Sequence, residues 1–190
     1  AKTNKYCKQD ERGIWFQEIS ALEAVQYNVN RQQTNIRFYE FGRAYSQNTD
    51  GFVEQEVLSI TMGGSQFPES WHTDDAKVSV FSLKSYVKRI LNLMGIGNFQ
   101  TEDLNTDRFE YGMMYHRGGK PIVKFGEVSK KMLDDFGIQQ AVFYAEFDWK
   151  TLLKSSGRNK IYFEEITKYP TVRRDLAVVV DNGVKFEQLK

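Results

Sequence analysis

Cysteine is almost missing: Cys7 is the only one in 190 residues, so no intramolecular disulfide can form. The surrounding AKTNKYCKQDERG offers no neighbour that would activate a thiolate, and Cys7 reads as an ordinary thiol. Histidine is equally scarce. His72 and His116 are far apart and lack the closely spaced Cys, Asp or Glu of a zinc site, so both read as structural or surface histidines. Proline occurs 3 times, and no stretch approaches the roughly 18 consecutive apolar residues of a membrane helix. The amino-terminal residues also lack the apolar run of a secretory signal. These absences lead us to expect a protein of the reducing cytoplasm with no membrane partner. With 26 basic against 25 acidic residues the net charge is only +1, which excludes a protein held to nucleic acid by its whole surface. The GxxxxGK[ST], GxGxxG and GxSxG patterns are all missing, which argues against the simple nucleotide-fold enzymes.

What is present is apolar and aromatic. Hydrophobic residues make up 41% and aromatics 14%, with 14 Phe and 10 Tyr, enough buried surface to offset the chain entropy of one principal core. A helix is expected to open at a capping box, with Ser20 as N-cap, Glu23 three residues later, and Leu22, Val25 and Val29 as its apolar stripe. Asn35 to Arg43 alternates Ile36 and Phe38 with Arg37, Tyr39 and Phe41, as a strand packed on both sides would. A second strand, Glu56 to Met62, stops at Gly63 and Gly64. The clearest helix runs from Ser82 to Met94, where Leu83, Tyr86, Val87, Ile90, Leu91 and Met94 share one face and Gly95 supplies the stop.

Strands at Phe109 to His116 and Pro121 to Val128 flank Arg117, Gly118, Gly119 and Lys120. The two glycines permit the positive φ of a tight hairpin, so the pairing should be antiparallel. Ser129 is expected to cap a short helix, Lys130 to Phe136, that Gly137 ends. A strand over Ala141 to Asp148 and a helix over Trp149 to Lys154 follow, giving an α+β pattern. After the turn SSGRNK, Ile161, Phe163 and Ile166 reopen an extended segment, and Pro170 disfavours helix at Tyr169. Val172 to Asp181, with Leu176, Val178 and Val180 alternating with Ala177 and Val179, reads as a central strand. Its partners are expected outside this chain, with Phe186 and Leu189 opening a helix against it.

Carboxylate chemistry finds little support. Glu164 and Glu165 are adjacent, and neighbouring residues on a strand face opposite ways, so they read as solvated or salt-bridged. Local charge is more informative. From Lys150 to Arg174 seven basic residues (Lys150, Lys154, Arg158, Lys160, Lys168, Arg173, Arg174) face two acidic ones, a cluster able to hold phosphates by Coulomb attraction and counterion release. A solvated, salt-bridged surface is the plain alternative. A strand would aim Arg173 and Arg174 to opposite faces, leaving one of them to pair with Asp175 or Glu165.

The segments LEAVQYNVNR (Leu22 to Arg31), IRFYEFGRAY (Ile36 to Tyr45), FGEVSKKMLDDFGI (Phe125 to Ile138), VFYAEFDWKTLL (Val142 to Leu153) and KYPTVRRDLAVVVD (Lys168 to Asp181) stand in an order that resembles the β chain of bacterial phenylalanine–tRNA synthetase. The YAEFDW strand followed by KYP-x-VRRDLA is the specific part. Residues 1 to 20 and Phe52 to Asp75 carry little of the likeness.

That resemblance implies a class II synthetase-like antiparallel sheet flanked by helices over residues 21–167, a non-catalytic scaffold. The opening of a ferredoxin-like anticodon-binding domain would lie over 168–190, and residues 1–20 stay unassigned. A working class II site needs a motif 2 arginine on the ATP α-phosphate and a glycine-rich motif 3 segment with a second arginine. Arg37 to Glu40 is at best a degenerate echo of the first, and no GxGxGxxR-like run occurs. The implied partners are the catalytic α subunit, in a tetramer of two α and two β chains, and the tRNA for phenylalanine, with no DNA. ATP and magnesium would serve the complete enzyme without binding this region, and the family's magnesium-linked acidic residues and editing site belong to upstream domains. Candidate interface residues are Phe38, Tyr39, Phe41, Leu83, Tyr86, Val87 and Ile90; candidate tRNA contacts are Lys168, Arg173 and Arg174. Two other readings make different predictions. An independent RNA-binding module would bind tRNA with a steep salt dependence, and a regulatory paralogue holding a small metabolite in a vestigial cleft would be stabilised by that ligand.

Overall fold

The computed structural model describes residues 17–48, 51–67, 70–72, 76–156, 163, 165–166, 168–170, 172–181 and 184, with backbone alone for 45–48 and 52. Two compact units divide the chain, Ala1–Asn159 and Lys160–Lys190. In the first, ten elements follow one another: α1 (Gln17–Val29), β1 (Ile36–Asn48), β2 (Gly51–Gly63), α2 (Val80–Leu93), β3 (Gln100–Leu104), β4 (Phe109–Arg117), β5 (Lys120–Val128), α3 (Lys130–Asp135), β6 (Val142–Asp148) and α4 (Trp149–Ser156). The strands form one sheet in the order β1-β2-β6-β5-β4-β3, with every neighbouring pair antiparallel.

β6 shows why the sheet is covered on both sides. Its sequence VFYAEFD is apolar in both registers: Phe143, Ala145 and Phe147 enter one core, while Val142 and Tyr144 enter the other. On the first face Leu83, Val87 and Leu91 of α2 and Leu152 of α4 pack over Leu58, Met62, Phe125 and Phe147. On the second face Ala21, Leu22 and Val25 of α1 and Leu133 of α3 pack over Ile36, Val128 and Tyr144, with Phe109 among them.

Local chemistry accounts for most boundaries. α2 starts after Ser79, whose backbone N–H donates to Ser82 Oγ at 3.3 Å, and ends before Gly95, which stands at φ 70°. The β4–β5 hairpin turns on Gly118 and Gly119 at φ 57° and 75°, the two consecutive positive angles of a type I′ turn. Further along, Gly112 of β4 pairs with Gly126 of β5. A Cβ on Gly126 would stand 2.2 Å from the Tyr111 carbonyl oxygen and 2.8 Å from Gly112 Cα.

Several expectations need correction. Ser20 is not a cap: α1 is already helical at Gln17, and Ser20 is exposed inside it. The buried Glu18, tied to Arg108, holds that earlier turn to the sheet. Ser129 does precede α3, but its buried hydroxyl makes no cap hydrogen bond. β1 and β2 each run to 13 residues, well past the apolar alternation. Residues 53–56 of this ribbon are exposed, so backbone pairing with no buried face carries it outward. β1 is not packed on both sides either. Ile36 is buried and Phe38 partly so, whereas Tyr39 and Phe41 on the opposite face are 75% and 58% exposed. β3, QTEDL, has no apolar period because it is an edge strand, mostly exposed.

The expected central strand at Val172 to Asp181 is absent: none of these residues is in a strand, and Leu176 is 88% exposed. Alternation marks a segment able to pair, but a ladder needs a second strand, and no described residue supplies one. The proposed helix at Phe186 and Leu189, like Cys7, Arg158, Lys160, Ile161 and Glu164, lies outside the described residues.

Candidate functional site

Period-two geometry places Arg37, Tyr39 and Phe41 of β1 on the α2 side of the sheet. There Tyr39 and Phe41 meet Ile60 and Leu58 of β2 and Tyr86 and Ile90 of α2 around an open, apolar groove of about 360 Å³. Tyr86 is 47% exposed, and Phe41 sets its ring edge-on to Trp149 with centroids 4.9 Å apart. Arg37 stands at the groove in a fixed pose. Its Nη1 donates to the carbonyl oxygens of Ile36 at 2.6 Å and Gly63 at 2.8 Å, and its Nη2 donates to that of Ser65 at 2.6 Å.

The opposite face carries buried charge. Arg108 Nε donates to Glu18 Oε2 at 2.7 Å, and Arg108 Nη2 donates to Glu146 Oε2 at 3.2 Å. Glu18 is fully buried, and its Oε1 has no hydrogen-bond partner. Burial raises the Glu18 carboxyl above its usual range, against the pull of the Arg108 guanidinium, while Glu146 pushes it further up. Burial alone would lower Arg108, but Glu18 and then Glu146 outweigh it and hold the guanidinium above its ordinary value. Beside them burial, reinforced by Glu146 and Glu18, raises the Tyr144 phenol well above its usual value. Gln17 extends this polar seam onto Gly42, where a Cβ would come within 2.2 Å of the Gln17 amide nitrogen. The seam clamps α1 onto the sheet with three charges already engaged with one another.

Four of the expected interface residues, Tyr39, Phe41, Tyr86 and Ile90, therefore line one groove, and Phe38 borders it while packing against the core of the opposite face. Leu83 and Val87 do not: both are 0% exposed inside the chain's own core, because α2 turns these positions straight at the sheet. Lys168, Arg173 and Arg174, within the unit Lys160–Lys190, are all exposed. With no strand there, the expectation that Arg173 and Arg174 face opposite ways loses its premise. Lys150, Lys154 and Glu165 are exposed as well. His72 is exposed with Nδ1 2.6 Å from Ser70 Oγ, and His116 Nε2 lies 3.9 Å from Glu102 Oε2. Among the described residues no group of three His, Cys, Asp or Glu could hold a metal ion, and no helix is long and apolar enough to cross a membrane.

Sequence reading missed the Glu18–Arg108–Glu146 seam. Its members lie 90 and 38 positions apart, and only sheet closure makes them neighbours. The one local hint is an acid buried in the first turn of an amphipathic helix.

Comparison with known proteins adds to this geometry. The family model of the phenylalanyl tRNA synthetase beta chain CLM domain matches residues 19–149. The chain is 35% identical over 184 residues to the phenylalanine–tRNA ligase beta subunit of Bacteroides thetaiotaomicron, covering 90% of this chain and 22% of that relative. To the corresponding subunit of Porphyromonas gingivalis it is 30% identical over 184 residues, with the same coverage of 90% and 22%. The chain thus spans about a fifth of the length of these curated relatives, 22% in each case. Among solved structures, a pyrrolysyl-tRNA synthetase from Desulfitobacterium hafniense superposes with a TM-score of 0.54 at 15% identity, over 70% of this chain and 46% of that one. A second structure of the same organism's synthetase gives 0.53 at 17% identity, over 71% and 47%. The shared feature is the fold, a class II synthetase sheet with its helices.

Proposed function

Since this chain belongs to the phenylalanyl-tRNA synthetase β-chain family, in its CLM domain, we propose that it is a non-catalytic scaffold within phenylalanine–tRNA ligase. On this reading it packs on the catalytic α subunit of a tetramer of two α and two β chains and leads the polypeptide toward a tRNA-binding domain. The observation that carries it is the uncovered aromatic groove of Tyr39, Phe41, Tyr86 and Ile90 on a well-packed class II-like sheet. Apolar area left open on an otherwise closed core is the signature of a protein contact. The chemistry of ATP activation, with its magnesium, then belongs to the partner. Here the motif 2-like arginine, Arg37, gives both Nη atoms to backbone carbonyls, and the sequence carries no GxGxGxxR-like run to complete a phosphate grip. Assembly in the cytoplasm and contact of Lys168, Arg173 and Arg174 with the tRNA for phenylalanine follow from the same reading, and the exposure of all three is compatible with it.

Co-purification of a complete β chain with its α subunit, followed by phenylalanylation of tRNA, tests the scaffold. Deleting this region should abolish both assembly and aminoacylation, and the isolated chain should show no ATP–pyrophosphate exchange. Unchanged assembly after deletion would remove the scaffold role, and exchange by the isolated chain would remove the non-catalytic one.

A further inference from the structure

The groove is apolar along its floor with Arg37 as the one charged residue of its lining, and beyond Phe41 the adjoining recess carries Arg43 and Glu56. Arg37 stands in the groove wall, held by three backbone carbonyls. A guanidinium carries five N–H donors in a rigid plane, so the group is pinned in orientation and still has donors to give. Among the described residues no carboxylate meets it. α2, VFSLKSYVKRILNL, holds Lys84, Lys88 and Arg89 and no acidic residue. Helical spacing sets the exposed Arg89 beside Tyr86 and Leu93 on the helix flank that borders the groove, with Leu93 80% exposed. Apolar surface also continues past the groove, from Tyr39 at 75% exposure to the Phe41–Trp149 pair. A small molecule filling about 360 Å³ would leave that surface wet, whereas a protein segment would cover it.

We propose that the groove seats an amphipathic, acidic-flanked segment of the α subunit. One or two large apolar side chains would lie between Tyr39 and Tyr86, and a carboxylate would meet Arg37, with a second acid near Arg89. This deepens the scaffold reading and rests on it. A pre-oriented guanidinium loses little freedom when it accepts a carboxylate, and planar two-point pairing makes that contact selective for an acid at one register. Arg37 and Arg89 therefore set which segment docks and how fast, while the aromatics hold it once seated.

The test measures assembly of a complete β chain with its α subunit at low and high salt, with thermal melting of each variant as the fold control. Tyr39→Ser should weaken binding by about tenfold or more at either salt. Arg89→Glu, on an exposed helix position, should weaken it several-fold at low salt, and the deficit should shrink as salt screens the charges. Arg37→Lys keeps the charge and loses the planar fork, and should lose affinity without the change in salt dependence that Arg89→Glu shows. If Tyr39→Ser weakens assembly while both arginine variants bind normally, the acidic character of the occupant is refuted. Should none of the three affect assembly although deletion of the region still abolishes it, the scaffold reading stands and the groove is not the docking site. Saturable stabilisation of the chain by 3-phenylpropionate, with assembly unaffected by all three variants, would assign the groove to a small aromatic acid instead.

Discussion

The two faces of the sheet solve the problem of being covered in opposite ways. Under α1 and α3, apolar packing is joined by a seam in which Arg108 bridges the buried Glu18 to the partly exposed Glu146. Under α2 and α4 the core is apolar throughout, yet its margin at Tyr39, Phe41 and Tyr86 lies open. A buried ion seam is a poor source of net stability but a strong specifier of geometry, because any displacement strands a charge. An open aromatic margin has the reverse character: it contributes little to the monomer and is available to a partner. The difference teaches that α1 is fastened by contacts within the chain, while the α2 edge leaves aromatic surface that the chain's own core does not cover.

Breaking the seam should have the largest effect. Arg108→Ala leaves the fully buried Glu18 carboxyl without the cation that holds it, and urea unfolding should register a loss of about 3–5 kcal/mol. A loss under ~1 kcal/mol, the value of an exposed pair, would show that water reaches the seam and the contrast between faces is false. Next comes the backbone contact that both faces share. Gly126→Ala pushes a methyl against the Tyr111 carbonyl and Gly112, and should cost about 1–3 kcal/mol in the same assay. Gly118→Ala, with open space around it, should cost only about 1 kcal/mol, the left-handed backbone penalty alone.

The pH dependence sharpens the comparison further. Burial raises the Glu18 carboxyl above its ordinary 4.5, so the folded protein holds a proton there that the unfolded chain has already released. Stability relative to a Glu18→Gln variant should be level below pH 4.5 and decline as the pH rises through the window above it, until the folded carboxyl also ionises. Urea midpoints from pH 4 to 8 measure this, and a relative gain on raising the pH would mean that the attraction of Arg108 dominates. The smallest effect belongs to the open face. Tyr39→Ser should change monomer stability by no more than about 0.5 kcal/mol, since the side chain is 75% exposed. A larger loss would make it core.

Legibility in the sequence followed the range of the interaction. The hairpin at Gly118 and Gly119, the stop at Gly95 and the strand β6 were readable because turn angles and local apolar runs are properties of neighbouring residues. Ser20 misled for the same reason: the capping pattern is local, and here it falls inside α1, whose Glu18 is held by the distant Arg108. β3 was invisible because an exposed edge strand needs no apolar pattern, and Val172 to Asp181 was over-read because pattern alone does not make a ladder. Among the seven candidate interface residues, spacing could not tell Tyr86 and Ile90 at the groove from Leu83 and Val87 inside the core.

Amino-acid order by itself determined the types of the apolar elements, the antiparallel hairpin and the lack of a GxGxGxxR-like run, since each is written in a few neighbouring residues. Tertiary structure alone decided that α1 is locked down by Glu18 and Arg108, that Arg37 is pinned by backbone carbonyls, and that one aromatic edge stays open. Those outcomes depend on which distant groups meet when the sheet closes, and on how much of each side chain the closed layers leave in reach of water.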